Sequence, residues 1–291
     1  MLQFSENKLS DQSLRELYHV VDFAIREDIG EGDHTSLATI PADAKNSARL
    51  LVKDFGVLAG VELAELIFKR IDSEMQFVPH IRDGEKVEPG QVAFEISGSS
   101  RSILSAERLV LNFMQRMSGI ATKTSHLAEL IQHTKTKLLD TRKTTPCVRL
   151  MEKWAVLIGG GNNHRFALYD MIMIKDNHVD YAGGIKNAIL RTNEYLLRND
   201  KNLKIEIEVR NMRELHEVLS TGNVQRIMLD NFSPHHLKDA LKEIDRNLYE
   251  TEASGKITEN NIVSYAETGV DFISSGAITH SYQSLDLSLK A

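Results

Sequence analysis

Charged side chains close four successive short apolar runs from residue 138 onward. Leu138-Leu139 leads into Arg142 and Lys143, and Met171 to Ile174 leads into Lys175 and Asp176. Ile205 to Val209 carries Glu208, and Ile227 to Leu229 ends at Asp230. Two further runs, Leu248 to Thr251 and Phe272 to Ser274, lead into the turns Ser254-Gly255 and Ser275-Gly276. Core packing has no need for charge at strand ends, so the pattern reads as the mouth of a parallel barrel. The ends sort by chemistry. Arg142 and Arg165, with His164 beside the latter, offer planar forks for carboxylate or phosphate, whereas Lys143 and Lys175 are compact point charges. Glu208 and Asp230 are hard oxygen ligands that could share a Mg2+ held mainly through water and a substrate phosphate. The two Ser-Gly turns expose backbone N–H groups where such barrels commonly hold a phosphate. Together these groups suit a phosphorylated sugar donor reacting with an acidic acceptor.

Charge supports a small anionic ligand. Residues 141 to 178 are net +3 in a chain of net −6, a local focus and not the wide basic surface that nucleic acid needs. At 291 residues, 42% hydrophobic and 26% charged, the chain has the composition of a soluble globular protein of one large and one smaller domain. No apolar run approaches the roughly 20 residues of a membrane span, and no membrane partner is expected. The start, MLQFSENKLSDQSL, has neither a basic segment nor an apolar core, so a cleaved signal peptide is not expected. The single Cys147 excludes an intramolecular disulfide and fits a reducing cytoplasm, and nothing in the sequence activates it as a nucleophile.

The elements that must position these groups follow from periodicity. Leu14, Leu17, Val20, Val21, Ala24 and Ile25 behind Ser10 predict a packing helix over 11–27. The acidic stretch 27–36 matches no calcium-ligand spacing and reads as a structured turn. Residues 47–96 alternate β-like runs with one helix, Val61 to Ile71, and the Asp83-Gly84 and Pro89-Gly90 turns predict antiparallel strands. Such a stretch resembles carriers of biotin or lipoate, but no lysine sits in the required hairpin. A long helix is expected from Ser105; Arg108 and Arg116 on it are either site cations or part of a solvated face. Beyond residue 137, βα alternation predicts a parallel sheet. Gly159-Gly160-Gly161 lacks the context of a phosphate or dinucleotide loop and reads as the end of a helix over 148–158. Trp154 and Tyr169 are expected to pack. The fold class is α/β: an incomplete or distorted parallel α/β barrel over 111–280, preceded by a smaller α+β open-faced sandwich domain over 1–110. The tail 281–291 is expected to return to the N-terminal domain.

The strings DTRKTTP, EKWAVLIGGGNNHR, IKDNH, IEIEV, MLDNF, ASGKI and SSGAITHS, in this order, resemble quinolinate phosphoribosyltransferase, as do EDIGEGDHTS and SAERLVLNFMQRMSGIAT. The resemblance runs from about residue 20 to about residue 282. It implies synthesis of nicotinate mononucleotide from quinolinate and phosphoribosyl pyrophosphate, with release of pyrophosphate and CO2, in de novo NAD synthesis. It assigns quinolinate to Arg142, Lys143, His164, Arg165 and Lys175, with Arg108 reaching in from a second copy of a homodimer or larger assembly. Catalytic roles fall to Lys143, Lys175, Glu208 and Asp230. Glu208 and Asp230 would bind Mg2+ and the ribose or pyrophosphate, with Asp176 as a helper. Ser254, Gly255, Gly276 and His280 would surround the donor phosphate. Two positions depart from the family pattern: Cys147, where glycine usually follows the proline, and Lys256, often glycine or asparagine. Three other readings stand beside this one: a molybdenum-associated paralogue with the same chemistry and another acceptor, a barrel lyase forming a Schiff base through Lys143 or Lys175, and a non-enzymatic anion-binding module, which leaves Glu208 and Asp230 unexplained.

Overall fold

The computed structural model describes residues 4, 5 and 8–291. The chain forms two compact units: one takes the chain up to His126 with Lys143–Gly161 and Ile278–Ala291, and the other is Leu127–Arg142 with Asn162–Ala277.

The first unit opens with an antiparallel pair, β1 (Phe4–Ser5) and β2 (Lys8–Leu9). Helix α1 (Asp11–Ile29) follows, started by Ser10, whose Oγ accepts the Ser13 N–H at 3.2 Å. The acidic stretch expected to be one turn is divided between two helices. Glu27–Ile29 finish α1, and Asp33 caps α2 (His34–Thr39) by accepting the Ser36 N–H at 3.1 Å. Next come β3 (Lys45–Val52), β4 (Gly56–Val57), α3 (Val61–Ile71), β5 (Gln76–Pro79), β6 (Lys86–Val87), β7 (Val92–Ser99) and α4 (Ser100–Leu130). β3, β7 and β5 form an antiparallel sheet covered by α3. There Phe68 meets Phe77 and Phe94 with ring centroids 6.2 and 5.9 Å away, pairs worth about 0.5–1.5 kcal/mol each beyond area burial.

α4 starts before Ser105 and is unbroken across the boundary expected between residues 110 and 111. Its middle belongs to the first unit for a specific reason. The Ser118 hydroxyl exchanges hydrogen bonds with the Ala59 backbone, and Thr122 Oγ1 accepts the Val57 N–H at 2.8 Å.

The second unit takes the end of α4 and has β8 (Lys137–Leu139) as its first strand. The chain then contributes α5 (Arg149–Ile158) to the first unit. Gly159 ends α5, and a Cβ there would lie 2.4 Å from the Ala121 carbonyl oxygen. Glycine thus lets α5 end against α4. The second unit continues with β9 (Ile172–Ile174), α6 (Asp176–Ala182), α7 (Ile185–Arg198), β10 (Ile205–Val209), α8 (Met212–Thr221), β11 (Arg226–Asp230), α9 (Pro234–Glu243), β12 (Glu250–Ser254), α10 (Ile262–Ala266), β13 (Phe272–Ser274) and the start of α11 (Ala277–His280). Its sheet is wholly parallel, in the order β8-β13-β12-β11-β10-β9, with β8 and β9 as edges. β12 starts two residues later than expected because Leu248 and Tyr249 donate back to Asp245 in a turn. In the first unit, β14 (Leu287–Lys290) pairs antiparallel with β3.

Strand alternation explains how a charged site is built in an apolar sheet. Ile205, Ile207 and Val209 point to one face of β10, leaving Glu206 and Glu208 on the other. On β11 the second face takes Arg226, Met228 and Asp230, and on β12 it takes Glu250, Glu252 and Ser254. The register sets Glu206 beside Arg226, Glu208 beside Met228, Met228 beside Glu252, and Asp230 beside Ser254. Among the described residues no helix is long and apolar enough to cross a membrane.

Candidate active site

At the C-terminal ends of β10, β11 and β12, Asp230 Oδ1 accepts from Ser254 Oγ at 2.5 Å and Oδ2 accepts from Asn231 Nδ2 at 2.5 Å. The Asn231 N–H in turn donates to the Ser254 carbonyl at 2.9 Å. Gly255 has φ +97°, and a Cβ on it would meet Asn231 Oδ1 at 2.3 Å and Asn231 N at 2.9 Å. Only glycine permits this close pass between the ends of β11 and β12. Lys175, just beyond β9, places Nζ 3.5 Å from Glu208 Oε2. The Lys175 N–H donates to His178 Nδ1 at 2.9 Å, and the Asp176 carboxylate accepts the Asn177 N–H at 2.7 Å. Burial raises the Glu208 carboxyl above its ordinary range; Lys175 opposes the shift, while Asp230 and Asp176 add to it. Three acids therefore share one rim with one lysine. Gly276 follows Ser275, whose N–H donates to the Leu139 carbonyl at 3.1 Å and whose Oγ donates to the Ile257 carbonyl at 3.3 Å.

The cationic side belongs to the same unit. Arg142 follows β8, and its buried Nε has no hydrogen-bond partner. Arg165 is half-buried, and its Nη1 donates to the Met171 carbonyl at 3.1 Å. Burial and the nearby charge of Arg142 both hold Arg165 below the ordinary arginine value. The loop bearing Arg165 is tied by Asp170, which accepts the N–H groups of Phe166 and Ala167 at 2.5 and 2.7 Å. Two guanidinium groups that repel each other, one with an unsatisfied buried N–H, form a site prepared for an anion.

Beneath the mouth lies a buried charged layer. His164 Nε2 is 3.0 Å from Glu206 Oε2 and 3.4 Å from Glu252 Oε2. Arg226 reaches Glu252 Oε2 at 3.2 Å and Glu250 Oε2 at 3.0 Å, with its guanidinium over the Phe272 ring. Burial alone would lower His164, but Glu206 and Glu252 outweigh it and push the imidazole up to about 9. Burial and the charge of Glu252 raise Glu206. The other ring nitrogen, Nδ1, accepts the Arg165 N–H at 2.6 Å, while the His164 N–H donates to Asp140 Oδ1 at 2.7 Å. His164, Glu206 and Glu252 also offer ligand atoms within 4.8 Å of one another, close enough for a metal ion, but Arg226 already supplies the cluster with a cation.

The remaining candidate residues lie in the first unit. Lys143 is exposed, and its carbonyl accepts Thr279 Oγ1 at 2.9 Å. Arg108 is exposed on α4, and His280 Nδ1 is 2.6 Å from Ser281 Oγ. Arg116 is structural: it hydrogen-bonds buried Glu152, which also accepts the Thr145 N–H at 3.2 Å and so holds the loop after Lys143. In that loop Cys147 has φ +68°. Trp154 is buried as expected, whereas Tyr169, on the loop tied by Asp170, is 57% exposed and is not a core residue. Sequence reading missed Glu206, Glu252, Arg226 and Glu152. The paired acids of IEIEV were a usable signal, since a second glutamate two residues before Glu208 must share its face.

The chain matches the family model "Quinolinate phosphoribosyl transferase, N-terminal domain" over residues 33–118 and the model for the C-terminal domain of the same family over residues 120–290. It is 45% identical to quinolinate phosphoribosyltransferase [decarboxylating] 1b of Nicotiana tabacum, over 94% of this chain and 82% of the relative. It is 40% identical to the probable nicotinate-nucleotide pyrophosphorylase [carboxylating] of Bacillus subtilis, over 90% of this chain and 89% of the relative. The crystal structure of NadC from Streptococcus pyogenes superposes with a TM-score of 0.90 at 37% identity, covering 97% of this chain and 98% of that one.

Proposed function

The chain belongs to the quinolinate phosphoribosyltransferase family, and on that premise we propose that its barrel mouth divides the two substrates between Arg142, Arg165 and Lys175 on one side and Glu208, Asp230 and the Ser254-Gly255 turn on the other. The enzyme transfers the phosphoribosyl group of phosphoribosyl pyrophosphate to quinolinate with decarboxylation, giving nicotinate mononucleotide, pyrophosphate and CO2 in NAD synthesis. The observation that carries the division is the buried, unsatisfied Nε of Arg142 beside Arg165. A dicarboxylate would satisfy that donor and relieve the repulsion at once. Lys143, adjacent in sequence, and Arg108, supplied by a second copy in a homodimer, complete the cation set in this reading. The exposure of Arg108 on α4 leaves it available to a second copy. Gly276 and His280 are proposed to border the donor phosphate, and Asp176 to assist Glu208. The lone exposed Cys147 supports a reducing, cytoplasmic setting.

The charge distribution fits the reaction. As pyrophosphate leaves, the anomeric carbon gains oxocarbenium character and the pyridine nitrogen attacks it. The nitrogen becomes cationic, the bond from C2 to its carboxylate breaks, CO2 departs, and the electron pair left on C2 is stabilised beside the ring cation before a proton replaces it. The arginines and Lys175 hold the dianion so that its nitrogen faces the donor, a proximity effect of up to about 7–11 kcal/mol. Lys175, 3.5 Å from Glu208, links the acceptor side to the donor side. The residues also fit a Mg2+ ion: Glu208 is raised partly by the charge of Asp230, and a divalent cation between them would remove that conflict. When bound, the ion would neutralise charge on the departing pyrophosphate. The test is release of CO2 from carboxyl-labelled quinolinate. Release that requires both phosphoribosyl pyrophosphate and Mg2+ supports the assignment; release unaffected by chelation would remove the metal from it, and no release from folded protein would favour the paralogue with another acceptor.

A further inference from the structure

Asp33 lies in the first unit, in the acidic stretch that resembles the family and takes no part in the chemistry assigned to the mouth. Its carboxylate does two things. It caps α2, accepting the Ser36 N–H at 3.1 Å through Oδ1 and the Ser36 hydroxyl at 2.5 Å through Oδ2. Oδ2 also accepts Ser105 Oγ, on α4, at 3.3 Å. The bonds from Ser36, and then the one from Ser105, hold the carboxyl below its ordinary range. A second tie closes the other end of α2: Arg101 of α4 donates through Nε to the Ile40 carbonyl at 2.9 Å and through Nη2 to the Leu37 carbonyl at 3.2 Å. Just beyond, the Ser100 N–H donates to the Ala44 carbonyl at 2.9 Å. α2 is thus strapped to the start of α4 at both of its ends.

Helix periodicity decides what the strap positions. Residues 101, 105 and 108 lie on one stripe of α4, because seven residues make almost two full turns. The strap occupies Arg101 and Ser105; Arg108 is next along the stripe and is exposed. The opening turns are the part of a helix that its own hydrogen bonds hold least, so what fastens them fixes the direction in which Arg108 leaves the helix. We propose that Asp33 is a positioning residue that acts across the dimer: by fastening α2 to Ser105 it fixes the segment of α4 that presents Arg108 to the acceptor site of a second copy. The inference rests on the reading that Arg108 completes that copy's quinolinate site.

Asp33→Ala removes both the cap and the tie, whereas Asp33→Asn keeps an acceptor oxygen for the Ser36 N–H and a polar partner for the two hydroxyls. D33A should lose at least about tenfold in kcat/KM for quinolinate, expressed in KM, with KM for phosphoribosyl pyrophosphate unmoved, and D33N should stay within about threefold of wild type. Ser105→Ala removes only the tie and leaves the cap, so it serves if D33A does not fold; it should raise KM for quinolinate about threefold, and unchanged kinetics would overturn the proposal. Hybrid dimers, made by co-expressing two differently tagged variants and purifying through both tags, separate an effect in the partner's site from one in the chain's own. In the D33A/R142A hybrid, one site joins the intact barrel of the D33A chain to the intact α4 of the R142A chain, so about half of the wild-type activity should return. The D33A/R108A hybrid should stay at or below the activity of D33A alone. Recovery with R108A and not with R142A would place the effect in the chain's own site and overturn the proposal, as would D33A kinetics within about twofold of wild type. The R108A/R142A hybrid tests the underlying reading. If it regains no activity, the shared site falls and the proposal with it; if it recovers while D33A/R142A does not, the positioning role alone falls.

Discussion

Gly255→Ala adds one methyl group and tests the geometry of the proposed donor side. The residue sits at φ +97°, where a side chain costs about 1–3 kcal/mol in backbone strain alone. The new Cβ would stand 2.3 Å from Asn231 Oδ1 and 2.9 Å from Asn231 N, so Asn231 must move. That movement breaks a charge-assisted hydrogen bond to Asp230, worth about 1.5–3 kcal/mol, and strains the Asn231 N–H bond to the Ser254 carbonyl. The sum is roughly 3–5 kcal/mol, which for a chain of this size lowers Tm by about 10 °C. Asp230 loses its orientation as well, and a misplacement near 1 Å costs on the order of 100-fold in rate. Circular dichroism melting and steady-state kinetics would measure both effects, with KM for phosphoribosyl pyrophosphate rising and that for quinolinate nearly constant. The double variant Gly255→Ala with Asn231→Gly should recover part of the Tm, because it removes the side chain that is struck, and none of the rate. A G255A protein with Tm within about 2 °C of wild type and unchanged kinetics would refute the close pass and the role of the turn together.

Three other outcomes follow from single features. Arg142→Ala removes the buried donor awaiting an anion, so kcat/KM for quinolinate should fall by about 2–5 kcal/mol, more than 30-fold, while KM for phosphoribosyl pyrophosphate stays near wild type; equal losses for both substrates would contradict the division of the mouth. Cys147→Gly relieves a side chain at φ +68°, and after the entropic cost of glycine should stabilise by about 0.5–1 kcal/mol, seen as a small rise in Tm; a lower Tm would mean that the thiol packs usefully. Arg116→Ala leaves Glu152 buried without its guanidinium partner and should destabilise by about 3–5 kcal/mol in a urea titration, whereas a loss under about 1 kcal/mol would mean that the carboxylate finds another partner.

What the sequence made legible were features repeated along the chain. Charge at the end of four successive apolar runs marked the barrel mouth, because residues at strand ends share one rim whatever the loops between them do. The family strings then placed the chain in its family along most of its length. The unit boundary was not legible, since Ser118 and Thr122, which fasten the middle of α4 to the first unit, look like ordinary small polar residues on a helix. The split of the acidic stretch 27–36 between two helices depended on Asp33 acting as a cap, and a cap is visible only when the helix after it is long enough to show a period.

The buried layer was hidden for a different reason. Glu206 and Glu252 lie within short strands, and a charged residue there looks like an exposed position alternating with a buried one. In this sheet both faces are buried, so the alternation that normally separates core from solvent separates an apolar layer from a charged one. The register of β10, β11 and β12 brings together Glu206, Arg226 and Glu252, which are far apart in sequence, and only their mutual neutralisation makes the burial of each tolerable. His164 joins that layer from the loop before β9. Its ring meets Glu206 and Glu252 through Nε2, while Nδ1 accepts the N–H of Arg165, so one loop residue couples the buried layer to the segment that carries Arg165.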